Sequence, residues 1–387
     1  MQSPSPPQEN TPAWLRPFQR VISAGSHVRE IDGLRFIALA FVVLLHLNHY
    51  VILDAPVKLS PEPATSPLGR MLDQGDFGVR LFFAISGFIL SLPFLRQYTG
   101  KGNPVRLKKY FLRRLTRLEP PLIINLVLML GLMVLVMTRP LGELFPHFLA
   151  SCAYLHTAVF GSLSVINPVI WSLEVEAQFY ILMPVLAQFF RIGSFVWRQV
   201  LLLLLVVIFG LTSLPFPKAS LTEHLEYFLI GFVLADWWLR WGENPRKRRA
   251  FDFLAVAAWS ALVGALYWNR SIPAIGALLP ALAGAAMLTS LRSPCMSWLL
   301  SHWIPVTLGG MCYTIYLYHL AIISAAARVV TPLMMVESYY LNYLLHAAIV
   351  LPLIIGISMI LFALFERPFM SWQPWSRKRR TEAGRSP

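Results

Sequence analysis

Ten residues separate Arg35 from His46 in the stretch Gly33-Leu-Arg-Phe-Ile-Ala-Leu-Ala-Phe-Val-Val-Leu-Leu-His46. On a helix rising about 1.5 Å per residue, the imidazole lies about 16 Å beyond the guanidinium. An imidazole can take a proton from a hydroxyl and hand it on near neutral pH, while a guanidinium at the other end can meet an anion. Arg113 and Arg117, four apart, share a helix face just before Pro120, which fits the first turn of the next helix. Guanidinium groups on one face suit the phosphates of a nucleotide-bearing cofactor. Glu174 and Glu176 enter another apolar run behind Trp171. Spaced by two they point to different faces, which argues against a paired-carboxylate site. Glu176 can orient or charge-balance an imidazole, and Glu174 can face an aqueous rim. Tyr313, Tyr316 and His319 bring hydroxyls and a second imidazole into a later run, and Phe365-Glu-Arg-Pro368 closes the last one with an ion-capable terminus.

These side chains stand in segments that should repel them. Of 387 residues, 56% are apolar and 13% charged, and mean hydropathy is +0.59. A soluble domain carries about twice that share of charge. Soluble enzymes, disulfide-stapled secreted domains and disordered linkers are excluded. Apolar runs near 35–53, 77–95, 119–138, 171–190, 199–214, 221–240, 251–268, 272–290, 305–327 and 341–364 approach the length of a bilayer-crossing helix. The expected fold is an all-α polytopic membrane protein of about ten transmembrane helices. The segment 146–162, with His147 and His156, is short and reads as re-entrant or interfacial, with 139–170 on the outer side lining an acceptor entrance. With ten crossings, 25 of the 33 Lys and Arg fall on one side and six on the other, and Arg35 and Arg80 lie within spans. The positive-inside rule then places both termini in the cytoplasm.

The net charge of +14 follows this loop pattern, not one soluble face, so nucleic acid is not expected. The expected organisation is a flexible cytoplasmic N-terminal tail at 1–29, a transmembrane domain at 30–370 and a basic cytoplasmic tail at 371–387. Cys152, Cys295 and Cys312 are scattered and form neither a metal nor a disulfide framework. No cleavable signal is evident in the polar, Pro-rich first 30 residues. Ionisable groups inside spans are functional candidates by default.

Taken together the segments resemble the integral-membrane acyltransferase 3 family over residues 30–370. Arg35 and His46 match its Arg-x10-His motif; Gly78-Val79, Phe82-Phe83 and Ser86-Gly87-Phe88 match its second. Arg114, Arg117 and Pro120 fit its arginine–proline segment. Trp171-Ser-Leu-x-x-Glu176-x-x-Phe-Tyr180 and Tyr316-Leu-x-His319 match later ones. The resemblance implies transfer of an acyl group, acetyl by expectation, from cytoplasmic acyl-CoA to a hydroxyl of a glycan, lipid-linked sugar or small molecule. Acyl-CoA would be a co-substrate, with no cofactor resident. His46 and Glu176 would be catalytic, Arg35, Arg114 and Arg117 would bind the donor, and Trp171, Tyr316 and His319 the acceptor. A bacterial inner membrane is the implied location. Arg80 departs from the family, which often has an acidic or small polar residue there. No hydrolase-like domain is expected after the last helix. The rival class is a proton-coupled secondary transporter, which would predict an internal repeat; the two halves show no convincing match.

Overall fold

The computed structural model describes residues 12–21, 28–53, 55, 57–211, 220–242, 247–269, 273–334 and 336–371. The structure is 82% helical, with no strand among the described residues. The helices are α1 (Arg29–Leu53), α2 (Phe77–Tyr98), α3 (Leu107–Leu135), α4 (Leu141–Cys152), α5 (His156–Phe160), α6 (Trp171–Leu186) and α7 (Phe195–Leu211). They continue with α8 (Leu225–Trp241), α9 (Ala250–Asn269), α10 (Leu279–Arg292), α11 (Trp303–Gly310), α12 (Cys312–Met334) and α13 (Tyr339–Leu361). Short helices at Pro67–Leu72 and Pro294–Leu300 join them.

Among the described residues, eight helical segments are long and apolar enough to cross a membrane, as an integral membrane protein requires. The expected spans at 199–214 and 221–240 fall on α7 and α8, each only 17 residues long. The expected span at 305–327 is broken at Met311 between α11 and α12.

The centre of the bundle is held by backbone contact. A Cβ at Gly87 of α2 would stand 2.2 Å from the carbonyl oxygen of Phe228 on α8. Likewise, a Cβ at Gly309 of α11 would stand 1.8 Å from the carbonyl oxygen of Asp32 on α1. Only hydrogen fits either place, so these helices approach as closely as small-residue packing in membranes permits. Arg198 of α7 grips Asp236 of α8 through two 2.7 Å hydrogen bonds, pinning the two short helices together.

Within residues 141–160 no single helix is long enough to cross a bilayer. Twelve residues give α4 a length of about 18 Å, against about 30 Å of bilayer hydrocarbon. It packs back along α3 and turns at Tyr154, whose φ is +57°. The Tyr154 hydroxyl reaches the Glu119 carboxylate on α3. Asn167, just before α6, donates through Nδ2 to Asn125 Oδ1 and to the Leu317 carbonyl, both at 2.9 Å. This carries the chain from α5 back to the interior of the bundle before α6 begins.

Candidate active site

A cavity of about 120 Å³ lies between α1, α2, α3, α6 and α12. Arg35, Arg114 and Arg117 stand on its wall with Ser86, Glu176, Tyr180, Cys312, Tyr313 and Tyr316. Its volume would hold several waters.

The arginines differ in what they touch. Arg35 Nη1 donates to Asp32 Oδ1 at 2.6 Å, three residues back on α1. Arg117 has no hydrogen-bond or ion-pair partner among the described residues. Arg114 Nε is buried without a hydrogen-bond partner, and its guanidinium lies over the Tyr180 ring at 5.9 Å. The face shared by Arg113 and Arg117 is not the one the fold uses. Arg113 is exposed, and Arg114 with Arg117 turns inward. A guanidinium left unpaired on a cavity wall lacks its usual carboxylate or phosphate.

The α12 face is set by its first turn. The helix restarts after Met311, so its leading N–H groups have no intrahelical acceptor. Glu366, in a π turn at Phe362–Glu366, supplies one: Oε2 accepts from the Thr314 N–H at 3.1 Å and from the Thr314 hydroxyl. Tyr313, Tyr316 and His319 then follow at intervals of three along one side. The Tyr316 hydroxyl donates to the Val169 carbonyl at 3.0 Å and meets Ser172 Oγ at 2.7 Å, so it is the ring that faces the cavity.

His46 does not line the cavity. It stands one side chain beyond it, with His319 between His46 and Tyr316. His319 Nδ1 lies 2.7 Å from the Tyr316 carbonyl, which can only accept, so this nitrogen carries the proton and Nε2 a lone pair. His46 Nδ1 faces that lone pair at 3.1 Å and the Val42 carbonyl at 2.9 Å, so it too is a donor. The network thereby assigns a lone pair to His46 Nε2, as a general base needs.

Glu176 does not share that pair. Its Oε1 accepts from Ser86 Oγ at 2.8 Å, and no hydrogen bond joins it to His46. The partner expected to orient His46 is therefore replaced by His319, because α12 packs against α1 at this depth. Glu174 is buried and its Oε2 accepts from the Thr157 N–H at 3.0 Å, so the aqueous rim expected for it is absent. Trp171 also lies off the cavity, beside Phe83 and His224. Arg80 donates to Asp76 Oδ2 at 2.9 Å, away from the cavity wall. Among the described residues no group of His, Cys, Asp or Glu could hold a metal ion. Sequence reasoning missed Asn125 and Asn167, whose amides reach α12 at Leu317, and the capping role of Glu366.

A family model described as an acyltransferase domain matches residues 28–363. The chain belongs to the acyltransferase 3 family. Its apolar helices make it an integral membrane protein. A Staphylococcus aureus (strain COL) protein carrying the provisional name O-acetyltransferase is 24% identical over 354 residues, 82% of this chain and 52% of that protein. Peptidoglycan O-acetyltransferase OatA of Listeria monocytogenes is 25% identical over 339 residues, 78% of this chain and 50% of that protein. A Komagataeibacter xylinus protein provisionally named membrane-bound transacylase BcsY is 25% identical over 397 residues, 96% of this chain and 90% of that one. The chain thus spans about half the length of the first two. No solved structure matches it.

Proposed function

We propose that this acyltransferase 3 family member is a membrane O-acyltransferase. In this reading it moves an acyl group, acetyl being the simplest, from acyl-CoA to a hydroxyl of a glycan or lipid-linked sugar. One observation carries the reading: two guanidiniums with no hydrogen-bonded anion among the described residues line a cavity whose Tyr316 wall is backed by His319 and then by His46, an imidazole with a free Nε2. Arg35, Arg114 and Arg117 hold the donor's phosphates, and the thioester reaches past the Phe82 and Tyr316 rings, which meet edge to face at 6.3 Å. His46 Nε2 takes the acceptor's hydroxyl proton as the oxygen attacks the thioester carbonyl. The C–S bond breaks, the thiolate leaves, and it takes that proton back from the imidazolium. The products are the ester and CoA. While His46 is cationic, its Nδ1–H bond to His319 Nε2 becomes charge-assisted and steadies it. The name of one relative, a peptidoglycan O-acetyltransferase, supports a glycan acceptor.

The test is turnover of labelled acetyl-CoA by the purified protein with a panel of glycan and lipid-linked acceptors. Ester product from the native chain and none from His46→Ala is the expected result. Product from both variants removes His46 from the chemistry, and release of CoA without any ester removes the acceptor class.

The donor side is proposed to be cytoplasmic, with residues 139–170 facing outward. Ser164 is buried against Ser151, so Leu163, which is 52% exposed, is the better labelling position. A cysteine at 163 should react with an impermeant reagent in intact cells and one at Ser376, outside the described residues, should not. Labelling at 376 reverses the sidedness.

A further inference from the structure

The family match begins at residue 28, yet the chain before it packs on the bundle beside Arg35 of the cavity wall. A 3-10 turn at Ala13–Phe18 packs beside the π turn that holds Glu366. Leu15 is 3% exposed there, so the segment is seated in the bundle. It delivers Arg20, whose Nη1 stands 3.3 Å from Asp32 Oδ1. That oxygen already accepts from Arg35 at 2.6 Å, so it serves two guanidiniums. Gly310 lies beside Arg20, where a Cβ would stand at ordinary contact distance, 3.5 Å, from the Cβ of Arg20.

The charges at this end do not balance. Arg20, Arg35, Arg114 and Arg117 face Asp32, Glu176 and Glu366, and the last two are already engaged by Ser86 and Thr314. The Arg117 guanidinium, and then burial, push Arg20 down from the usual arginine range, the response of a cation short of anions. Arg20 is not on the cavity wall but shares Asp32 with Arg35, which is, and its side chain is 22% exposed.

We infer that the N-terminal segment Pro12–Val21 is a strap across the cavity entrance and that Arg20 is a donor-binding residue, taking the phosphates of the nucleotide end of acyl-CoA. This rests on the donor assignment proposed above. The strap makes phosphate recognition a joint product of α1, α3 and a segment outside the family match. It gives the entrance a guanidinium that the thioester end of the donor never touches.

The experiment measures binding of CoA and of pantetheine to the full chain in nanodiscs, for the native protein, Arg20→Ala, Arg20→Lys and Arg117→Ala, across ionic strength. For Arg20→Ala the expected result is CoA binding weakened about tenfold, a shallower salt dependence and unchanged pantetheine binding. Arg20→Lys should recover part of the loss. A merely structural role would weaken both probes and leave the salt slope alone, which overturns the inference. Native-like CoA binding in Arg20→Ala with weakened binding in Arg117→Ala overturns the strap and leaves the donor assignment standing. If the native chain binds neither CoA nor pantetheine, both fall together.

Discussion

Two pairs of histidines in this protein are wired alike and situated differently. In the first, His319 donates to the Tyr316 carbonyl and accepts from His46. In the second, His156 Nδ1 donates to the Ser162 carbonyl at 3.0 Å, and its Nε2 lies 2.8 Å from His147 Nδ1. Both arrangements leave the outer histidine's Nε2 with a lone pair. The first pair stands directly behind the wall of a cavity lined with arginines. The second is packed on Phe160, 4.0 Å from the His147 ring, inside the returning segment of α4 and α5. Hydrogen bonding alone therefore does not mark a base. A reactive imidazole also needs a place beside it for the reacting atoms and a counter-charge for the substrate.

That contrast can be broken most sharply at His46. His46→Ala should lower turnover by about 10²–10⁴-fold while insertion and purification stay normal. Full activity would make the first pair as structural as the second. Removing the partner should cost less. His319→Ala leaves the imidazole of His46 free to turn, and kcat should fall by up to about 100-fold with the acceptor KM little changed. A rise in acceptor KM alone would return His319 to substrate binding. Arg117→Ala should raise the donor KM by about 10- to 100-fold, the worth of a charged hydrogen bond, and spare the acceptor KM. The reverse pattern would exchange the two ends of the cavity. The smallest effect belongs to the second pair. His147→Phe should cost about 1 kcal/mol of stability and leave turnover within about twofold. Loss of chemistry in a stably folded His147→Phe protein would erase the distinction between the pairs.

What could be read before the fold was known lies within single helices. The Arg35–His46 spacing needs only the rise of one helix, and it holds in α1. The choice of Arg114 over Arg113 was not readable from periodicity, because either can share a side of α3 with Arg117; the packing of α6 against the bundle decides it. The His46–His319 pair joins positions 273 apart, and its existence depends on the depth at which α12 restarts. Arg20 was hidden for another reason. It lies in a Pro-rich polar stretch that resembles a free tail, and its seat depends on tertiary contacts, with Asp32 on α1 and with the turn that holds Glu366. The break of 146–162 into two short helices, α4 and α5, was by contrast foreshadowed by the small and polar residues in that run.

The Glu366 cap on α12 turns the site into a matter of angle. The cap fixes where the helix starts, and every later side chain inherits its bearing from that start at about 100° per residue. Substitutions along α12 change what a position carries but leave its bearing alone. One residue added or removed between Gly310 and Tyr313 would swing Tyr316 and His319 together by more than a quarter turn, carrying the second imidazole away from His46. The protein's chemistry should therefore tolerate diversity in the residues of this helix far better than any change in their number.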